Sequence, residues 1–155
     1  MMQKIITLIT IFFISNSLYS QKASLGLQYT FPSYGISGKL HLNDHNSVQA
    51  VFGAFGIVSN FSGRYNYLFD ERGKRNVKPF LYGQVGMWRY NSDILSIDES
   101  ALGFGFGAGL EFDWMDFISE NLSTSIEIGY GNVDLLYYDF AVTSFGFGLH
   151  YNFGF

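Results

Sequence analysis

The sequence predicts an all-β fold, an eight-stranded antiparallel up-and-down transmembrane β-barrel. Large apolar residues alternate with small or polar ones in about eight segments, which is the two-residue period of a β-strand. The chain of 155 residues is 19% aromatic and 14% charged, whereas an average soluble domain is about 25% charged. No segment shows the period of an amphipathic helix, and none has the ~20 consecutive apolar residues of a membrane-spanning helix.

Residues 1–20 are expected to form a secretory signal peptide that is not part of the fold. Lys4 supplies a positive charge, Ile5 to Ile14 is a short apolar run, and small polar residues follow as far as Ser20. We expect cleavage after Ser20, which leaves residues 21–155 as a single barrel domain. The mature protein would then act outside the cytoplasm.

The first four predicted strands alternate clearly except for the third, whose two faces are both largely apolar. Strand one, for example, has Leu25, Leu27 and Tyr29 on one face and small or polar residues between them. Polar segments predict turns around 32–33 and 43–46 and a loop at 59–63. The predicted strands are Ala23–Phe31, Tyr34–Leu42, Ser47–Ile57 and Arg64–Phe69.

The next strands are longer and are separated by the most polar parts of the chain. Strand five has two candidate faces, and we place Leu81, Val85 and Met87 outward because this set has no polar side chain. Polar segments at 91–100 and 132–139 predict loops. The predicted strands are Pro79–Tyr90, Ala101–Trp114 and Leu122–Tyr130, and strand eight begins near Phe140.

The sixth strand contains a glycine run, Gly103-Phe-Gly-Phe-Gly-Ala-Gly109, that superficially matches a phosphate-binding loop. Such a loop must follow a strand and open a helix. Here the alternation continues without a break to Trp114. The run therefore predicts a strand with one glycine face, not a nucleotide site.

The last twelve residues show the alternation most strongly. Their apolar face consists of Phe145, Phe147, Leu149, Tyr151, Phe153 and Phe155. An apolar face of this length promotes aggregation in water, but it suits a barrel wall in lipid.

An aromatic final strand that ends on phenylalanine resembles the sorting signal of bacterial outer-membrane β-barrels, and the chain length is similar to that of the small OmpA/OmpX-like group. The resemblance implies an outer-membrane location, contact with outer-membrane lipid and assembly by the barrel assembly machinery, which would read the six apolar residues. We expect a monomer without a cofactor. The net charge of −4 disfavours nucleic acid as a partner, and the absence of cysteine excludes disulfides and a lipoprotein anchor.

Inward positions of the predicted strands carry polar residues and charges of both signs. The predicted interior network consists of Gln28, Lys39, Arg64, Gln84, Glu111, Glu127 and His150. Charges in a low-dielectric interior persist only when they are paired and hydrogen-bonded. We therefore predict that Arg64 and Lys39 approach Glu127 and Glu111, and that the network leaves no open pore.

Three function classes remain open at this stage. The first is an outer-membrane barrel with a structural or surface-interaction role. The second is a lipid-modifying enzyme of the lipid A acylase type, for which the resemblance gives a precedent. His41 and His150 share the inward set with glutamates and serines, from which a hydrolase site could be assembled. Both histidines map to the periplasmic half, however, and we assign no catalytic or metal residue. The third is a soluble, secreted, lipocalin-like ligand-binding barrel, which would point its apolar residues inward.

Two charged clusters have simpler interpretations than binding sites. Arg72, Lys74, Arg75 and Lys78 lie in or beside one predicted turn, where solvent or anionic lipid would surround them. Asp93, Asp98 and Glu99 do not have the spacing of a calcium-binding loop and are expected to be solvated.

Overall fold

The protein is a closed barrel in which each strand pairs antiparallel with its neighbours in sequence and the last strand pairs with the first. The structure, a computed structural model, describes residues 23–55, 58–69, 76–92, 97–114, 121–135 and 138–153. The predicted eight-stranded up-and-down barrel is confirmed. The strands are β1 (Ala23–Thr30), β2 (Ser33–His41), β3 (Asn46–Phe55), β4 (Val58–Leu68), β5 (Val77–Ser92), β6 (Ile97–Asp113), β7 (Leu122–Leu135) and β8 (Tyr138–Phe153).

The outer surface of the barrel is apolar and the interior is largely polar. Side chains that point outward from the middle of the strands are about half exposed, among them Leu27, Phe52, Phe61, Leu81, Phe106, Ile128 and Phe147. Leu81, Val85 and Met87 of β5 are among the outward residues, which confirms the predicted faces of that strand. This distribution is the reverse of a soluble ligand-binding barrel. Among the described residues, no helix is long and apolar enough to cross a membrane.

The two ends of the barrel differ. Ala23 pairs with Phe153, so β1 begins and β8 ends at the same end, which we call the terminal end. At the opposite, distal end, β1 to β4 stop after 8–11 residues, whereas β5 to β8 have 14–17 residues. We call the distal ends of β5 to β8 the projecting ribbon, residues 89–92, 97–100, 132–135 and 138–143. The ribbon consists of two strand pairs, β5–β6 and β7–β8, because the pairing of β6 with β7 reaches only Gly103 and Val133.

The three predicted loops at 59–63, 91–100 and 132–139 are largely wrong. Residues 59–63 belong to β4 and pair with both β3 and β5. The other two segments are mainly strand, and only 93–96 and 136–137 lie outside the described residues. Serine and asparagine indicate a loop in an ordinary soluble protein, but here Asn60 and Ser62 are buried on the lumen side of a strand.

The glycine run forms the middle of β6, which confirms the prediction of a glycine-faced strand. Large side chains of the neighbouring β5 lie over these glycines. A methyl group added at Gly107 would lie 2.7 Å from the hydroxyl oxygen of Tyr82, and one added at Gly109 would lie 2.6 Å from Cζ of Phe80. The glycines therefore make room for aromatic rings inside a narrow barrel.

Candidate functional site

Glu127 on β7 is the centre of a buried hydrogen-bond network in the lumen. Its Oε2 accepts hydrogen bonds from Nη2 of Arg64 at 2.5 Å and from Oγ1 of Thr30 at 2.7 Å. Its Oε1 accepts from the Ser125 hydroxyl at 3.2 Å. The Arg64 guanidinium also lies 3.7 Å from the centre of the Tyr82 ring. Glu127 therefore joins three elements across the barrel, with the cation held against an aromatic face.

The network continues from Thr30 to the strands on either side of β1. Gln28 Nε2 donates to Thr30 Oγ1 at 2.7 Å, and Gln49 Nε2 donates to Gln28 Oε1 at 3.0 Å. The same Gln49 nitrogen donates to Ser37 Oγ at 2.7 Å, and Ser37 Oγ lies 2.9 Å from Nε2 of His150. Polar side chains from β1, β2, β3, β4, β7 and β8 are thereby connected in one chain of contacts.

Two more ion pairs lie nearer the terminal end. Lys39 Nζ is 2.8 Å from Glu111 Oε2, and both side chains are buried. Lys78 pairs with Asp113, and Lys78 is almost fully buried. The expectation that Lys78 would be a solvated turn residue is therefore wrong: it lies on the inward set of β5, where its aliphatic part is covered and its charge is paired.

All seven residues of the predicted interior network lie in the lumen and are buried. Six of them make the contacts described above, whereas neither amide atom of Gln84 has a hydrogen-bond partner among the described residues. Gln84 pairs in register with Arg64, whose Nε and Nη1 also lack a partner there. The prediction did not include Thr30, Ser37, Gln49 or Ser125; their inward positions in the alternation were the signal that could have found them.

The two inward histidines each contact a serine. Ser24 Oγ lies 2.9 Å from Nε2 of His41, and Ser37 Oγ lies 2.9 Å from Nε2 of His150. A serine beside a histidine is the first requirement of a hydrolase site, but a substrate must also reach the hydroxyl. Both serines are buried inside the barrel. These contacts fit a structural role in the lumen.

Apolar side chains cover the lumen at its distal end. At the distal end, Trp88, Tyr90, Val133 and Leu135 form a buried cluster, which we call the distal cap. The turn between β1 and β2 folds in beneath it: the carbonyl of Pro32 accepts a 2.7 Å hydrogen bond from Nε1 of Trp88.

Leu68, Phe80 and Tyr82 form a second buried cluster on β4 and β5. Tyr82 contacts Arg64, and Lys78 and Asp113 lie farther toward the terminal end, so this cluster lies within the polar network.

The projecting ribbon carries exposed charges. Nε and Nη2 of Arg89 donate to the two carboxylate oxygens of Asp98 at 2.7 and 2.5 Å. The hydrogen bond from Arg89 lowers the pKa of Asp98. Both groups are exposed, so the pair orients the strand pair β5–β6 more than it stabilises the fold.

The six residues expected to form the barrel-assembly signal lie on β8, with one exception. Phe145, Phe147, Tyr151 and Phe153 are exposed on the outer surface, and Leu149 lies between them on the same face. Phe155 lies outside the described residues, as does the expected signal peptide at 1–20.

Comparison with solved structures identifies the fold. The N-terminal β-barrel domain of OprF from Pseudomonas aeruginosa matches with a TM-score of 0.61 and 17% identity, over 86% of this chain and 96% of that chain. The chain has the fold of the small eight-stranded outer-membrane β-barrels. Neisserial surface protein A matches with a TM-score of 0.51 and 16% identity, over 87% of this chain and 94% of that chain. No family model and no curated protein sequence matches.

Proposed function

We propose that this chain is a monomeric outer-membrane barrel with a sealed lumen, which serves as a scaffold for a surface of interaction outside the cell. In this proposal residues 1–20 direct export and are cleaved after Ser20, and the barrel assembly machinery reads the apolar face of β8. The terminal end faces the periplasm and the projecting ribbon faces outward.

The observation that carries the proposal is the inversion of the usual distribution of polarity. The outward face of β8 is apolar from Phe145 to Phe153, which is close to the ~9–11 residues that a tilted strand needs to cross a membrane. Only a closed barrel satisfies its backbone hydrogen bonds in lipid. A water-soluble protein would pay heavily for an aromatic surface of this extent.

The closed lumen supports a scaffold role and disfavours a diffusion channel. The Arg64–Glu127 and Lys39–Glu111 pairs cross the interior, and the distal cap covers one end. An open pore needs a continuous water path, which larger barrels provide. The serines beside His41 and His150 are buried, so we expect labelled lipid A to be recovered unchanged after incubation with the protein.

Fractionation and conductance test this proposal. The protein should appear in the outer-membrane fraction with heat-modifiable gel mobility, and the purified barrel should give no steady conductance in planar bilayers. The double variant Arg64→Ala with Glu127→Ala removes the central ion pair. It is the control for the conductance measurement, because its lumen is less tightly filled. A water-soluble protein, or a wild-type barrel with steady conductance, would contradict the proposal.

A further inference from the structure

A groove crosses the outer surface of the barrel obliquely, from the end of β4 to β8. Its volume is about 620 Å³. Two rows of outward side chains, each paired in register across β5, β6 and β7, form its walls. One row is Leu81, Ala108 and Ile128, and the other is Pro79, Leu110 and Ile126. We call this feature the β5–β8 groove.

Backbone forms the floor of the β5–β8 groove. Gly109 and Glu127 lie in register between the two rows, and the alternation of a strand directs side chains at such positions toward the lumen. Ala108 gives the groove its depth, because it is the small residue between Phe106 and Leu110 on the outward face of β6. An apolar molecule in the groove therefore contacts a wall on each side and the floor beneath it.

The groove rises from the terminal end toward the middle of the barrel. The row that begins at Pro79 starts two residues after Val77, where β5 begins. The same row ends at Phe147 on β8, six residues before Phe153, where β8 ends. Phe69, at the terminal end of β4, also lines the groove. A row of residues perpendicular to tilted strands is itself oblique to the barrel axis, which accounts for the rise.

The length of the groove corresponds to the depth of one membrane leaflet. From β4 to β8 the groove crosses interstrand spacings of about 4.8 Å, roughly 19 Å altogether. With strands tilted by about 35–45°, this length rises by roughly 12 Å along the barrel axis. One leaflet contributes about 15 Å, half of the hydrocarbon core. Phe145, whose side chain is 78% exposed, stands at the inner end of the groove, near the middle of the membrane.

These dimensions fit an extended acyl chain. Among the residues that line the groove, Glu127 alone is polar, and it points into the lumen. Water does not fill an apolar groove within the hydrocarbon layer, and an empty groove would lose the dispersion contacts of its lining. The chains of periplasmic lipids begin at the terminal surface and extend toward the membrane centre, which is the direction of the groove.

A second copy of this chain fits the groove less well. Two barrel walls are both convex, so their side chains meet at the ridges. The floor beneath Ala108 would remain uncovered in such a contact, and poorly packed interfaces contribute little attraction in lipid.

We propose that the β5–β8 groove binds one acyl chain of a phospholipid of the periplasmic leaflet. The carboxyl end of the chain lies beside Phe69 and its methyl end beside Phe145. This inference rests on the proposed function, because the terminal end must face the periplasm. The bound lipid exchanges more slowly than other lipids around the barrel, because it makes contacts on three sides of its chain.

The test uses the full mature chain in nanodiscs of phosphatidylcholine, after heat-modifiable mobility has shown that it is folded. The probes are two phosphatidylcholines with a photoreactive diazirine near either the carboxyl end or the methyl end of one chain. Mass spectrometry of peptides locates the labelled residues after irradiation. The carboxyl-end probe should label mainly around Phe69 and Pro79, and the methyl-end probe around Ile128 and Phe145.

Ala108→Phe fills the groove and should lower labelling of Ile128 by about fivefold or more. The matched variant Ala50→Phe adds the same side chain to the outward face of β3, outside the groove, and should label as the wild type does. Labelling of Phe52, also on β3, reports contact with other lipids and should not change in Ala108→Phe. If Ala108→Phe does not fold, Ala108→Leu should give the same effect at smaller size.

A second measurement tests retention of the lipid. After exchange into detergent, native mass spectrometry should find one phospholipid on the wild-type barrel and on Ala50→Phe, and none on Ala108→Phe.

Three outcomes would overturn the inference. Equal labelling and retention in Ala108→Phe and the wild type, on folded barrels, would exclude the groove as a lipid site and leave the proposed function intact. The reverse order of labelling by the two probes would show that the lipid belongs to the outer leaflet. Dimers whose groove residues are not labelled would show that a second copy covers the groove instead.

Discussion

Nε1 of Trp88 on β5 donates a 2.7 Å hydrogen bond to the carbonyl of Pro32 in the turn between β1 and β2. This bond crosses the distal mouth and connects the projecting half of the barrel to the shorter half. The turn is also held by Ser144 on β8, whose hydroxyl donates to the carbonyl of Phe31 at 3.1 Å. The turn is thus part of the closure, and not an external loop.

Replacement of Trp88 should therefore loosen the distal cap. Trp88→Ala leaves a cavity and should lower the free energy of unfolding by about 3–5 kcal/mol. Trp88→Phe keeps most of the apolar contact but leaves the Pro32 carbonyl without this donor, so about 1–3 kcal/mol is expected. Urea titration in micelles measures both values. If the two variants are equally stable, Trp88 does not act as the apolar plug we describe.

Removing one partner of the Arg64–Glu127 pair should destabilise the barrel more than replacing both partners with apolar residues. Glu127→Ala leaves the guanidinium buried without its carboxylate and should cost about 3–5 kcal/mol of unfolding free energy. The double variant Arg64→Met with Glu127→Leu removes both charges and should recover much of that loss, because apolar pairs often substitute for buried ion pairs. Unfolding by urea in the same micelles gives the comparison. A double variant as unstable as Glu127→Ala alone would show that the loss does not come from the unpaired cation.

Substitutions at Tyr82 and Gly129 should have strongly coupled effects on the free energy of unfolding. A methyl group at Gly129 would lie 1.9 Å from the Tyr82 hydroxyl oxygen and 3.0 Å from Cζ of the ring. Gly129→Ala should therefore destabilise the wild-type barrel by about 1–3 kcal/mol. In a Tyr82→Phe background the nearest atom is gone, and the same substitution should cost less. A double-mutant cycle of unfolding free energies measures this coupling, and strictly additive effects would contradict the contact.

The sequence predicted the barrel well because the membrane imposes a strict alternation on each strand. Where lipid covers one face, as at Phe104 and Phe106, the period of two is unambiguous. The predictions failed where that constraint ends. Asn60 and Ser62 face the lumen, so polarity at these positions indicates the interior and not a loop.

The interior could be predicted as a set of residues but only partly as a set of contacts. Alternation places Glu127 and Arg64 inside, and pairing of opposite charges follows from burial. Alternation does not determine that Thr30 bridges Gln28 to Glu127, because that contact depends on the stagger between β1 and β7, which lie on either side of β8. The projecting ribbon was predicted as loops because it lacks an outward apolar set. Arg89, Asn91 and Asp134 are exposed there, whereas the apolar residues Tyr90, Val133 and Leu135 point inward into the distal cap.

The assignment of the lipid face gives the last prediction. Phe106 lies on the outer surface in the middle of β6, and Phe147 lies on the outer surface opposite Tyr29, one residue before β1 ends. Phe106→Arg or Phe147→Arg places a charge in the hydrocarbon layer, so each should cost about 2–4 kcal/mol in bilayers. Thr143→Arg is the matched control, because Thr143 is exposed on the same strand as Phe147 but lies in the projecting ribbon, beyond the end of β1. It should change the unfolding free energy by less than about 1 kcal/mol. Reversible unfolding in bilayers of defined thickness supplies the values; an equal penalty at all three positions would show that the membrane boundary does not lie between Thr143 and Phe147.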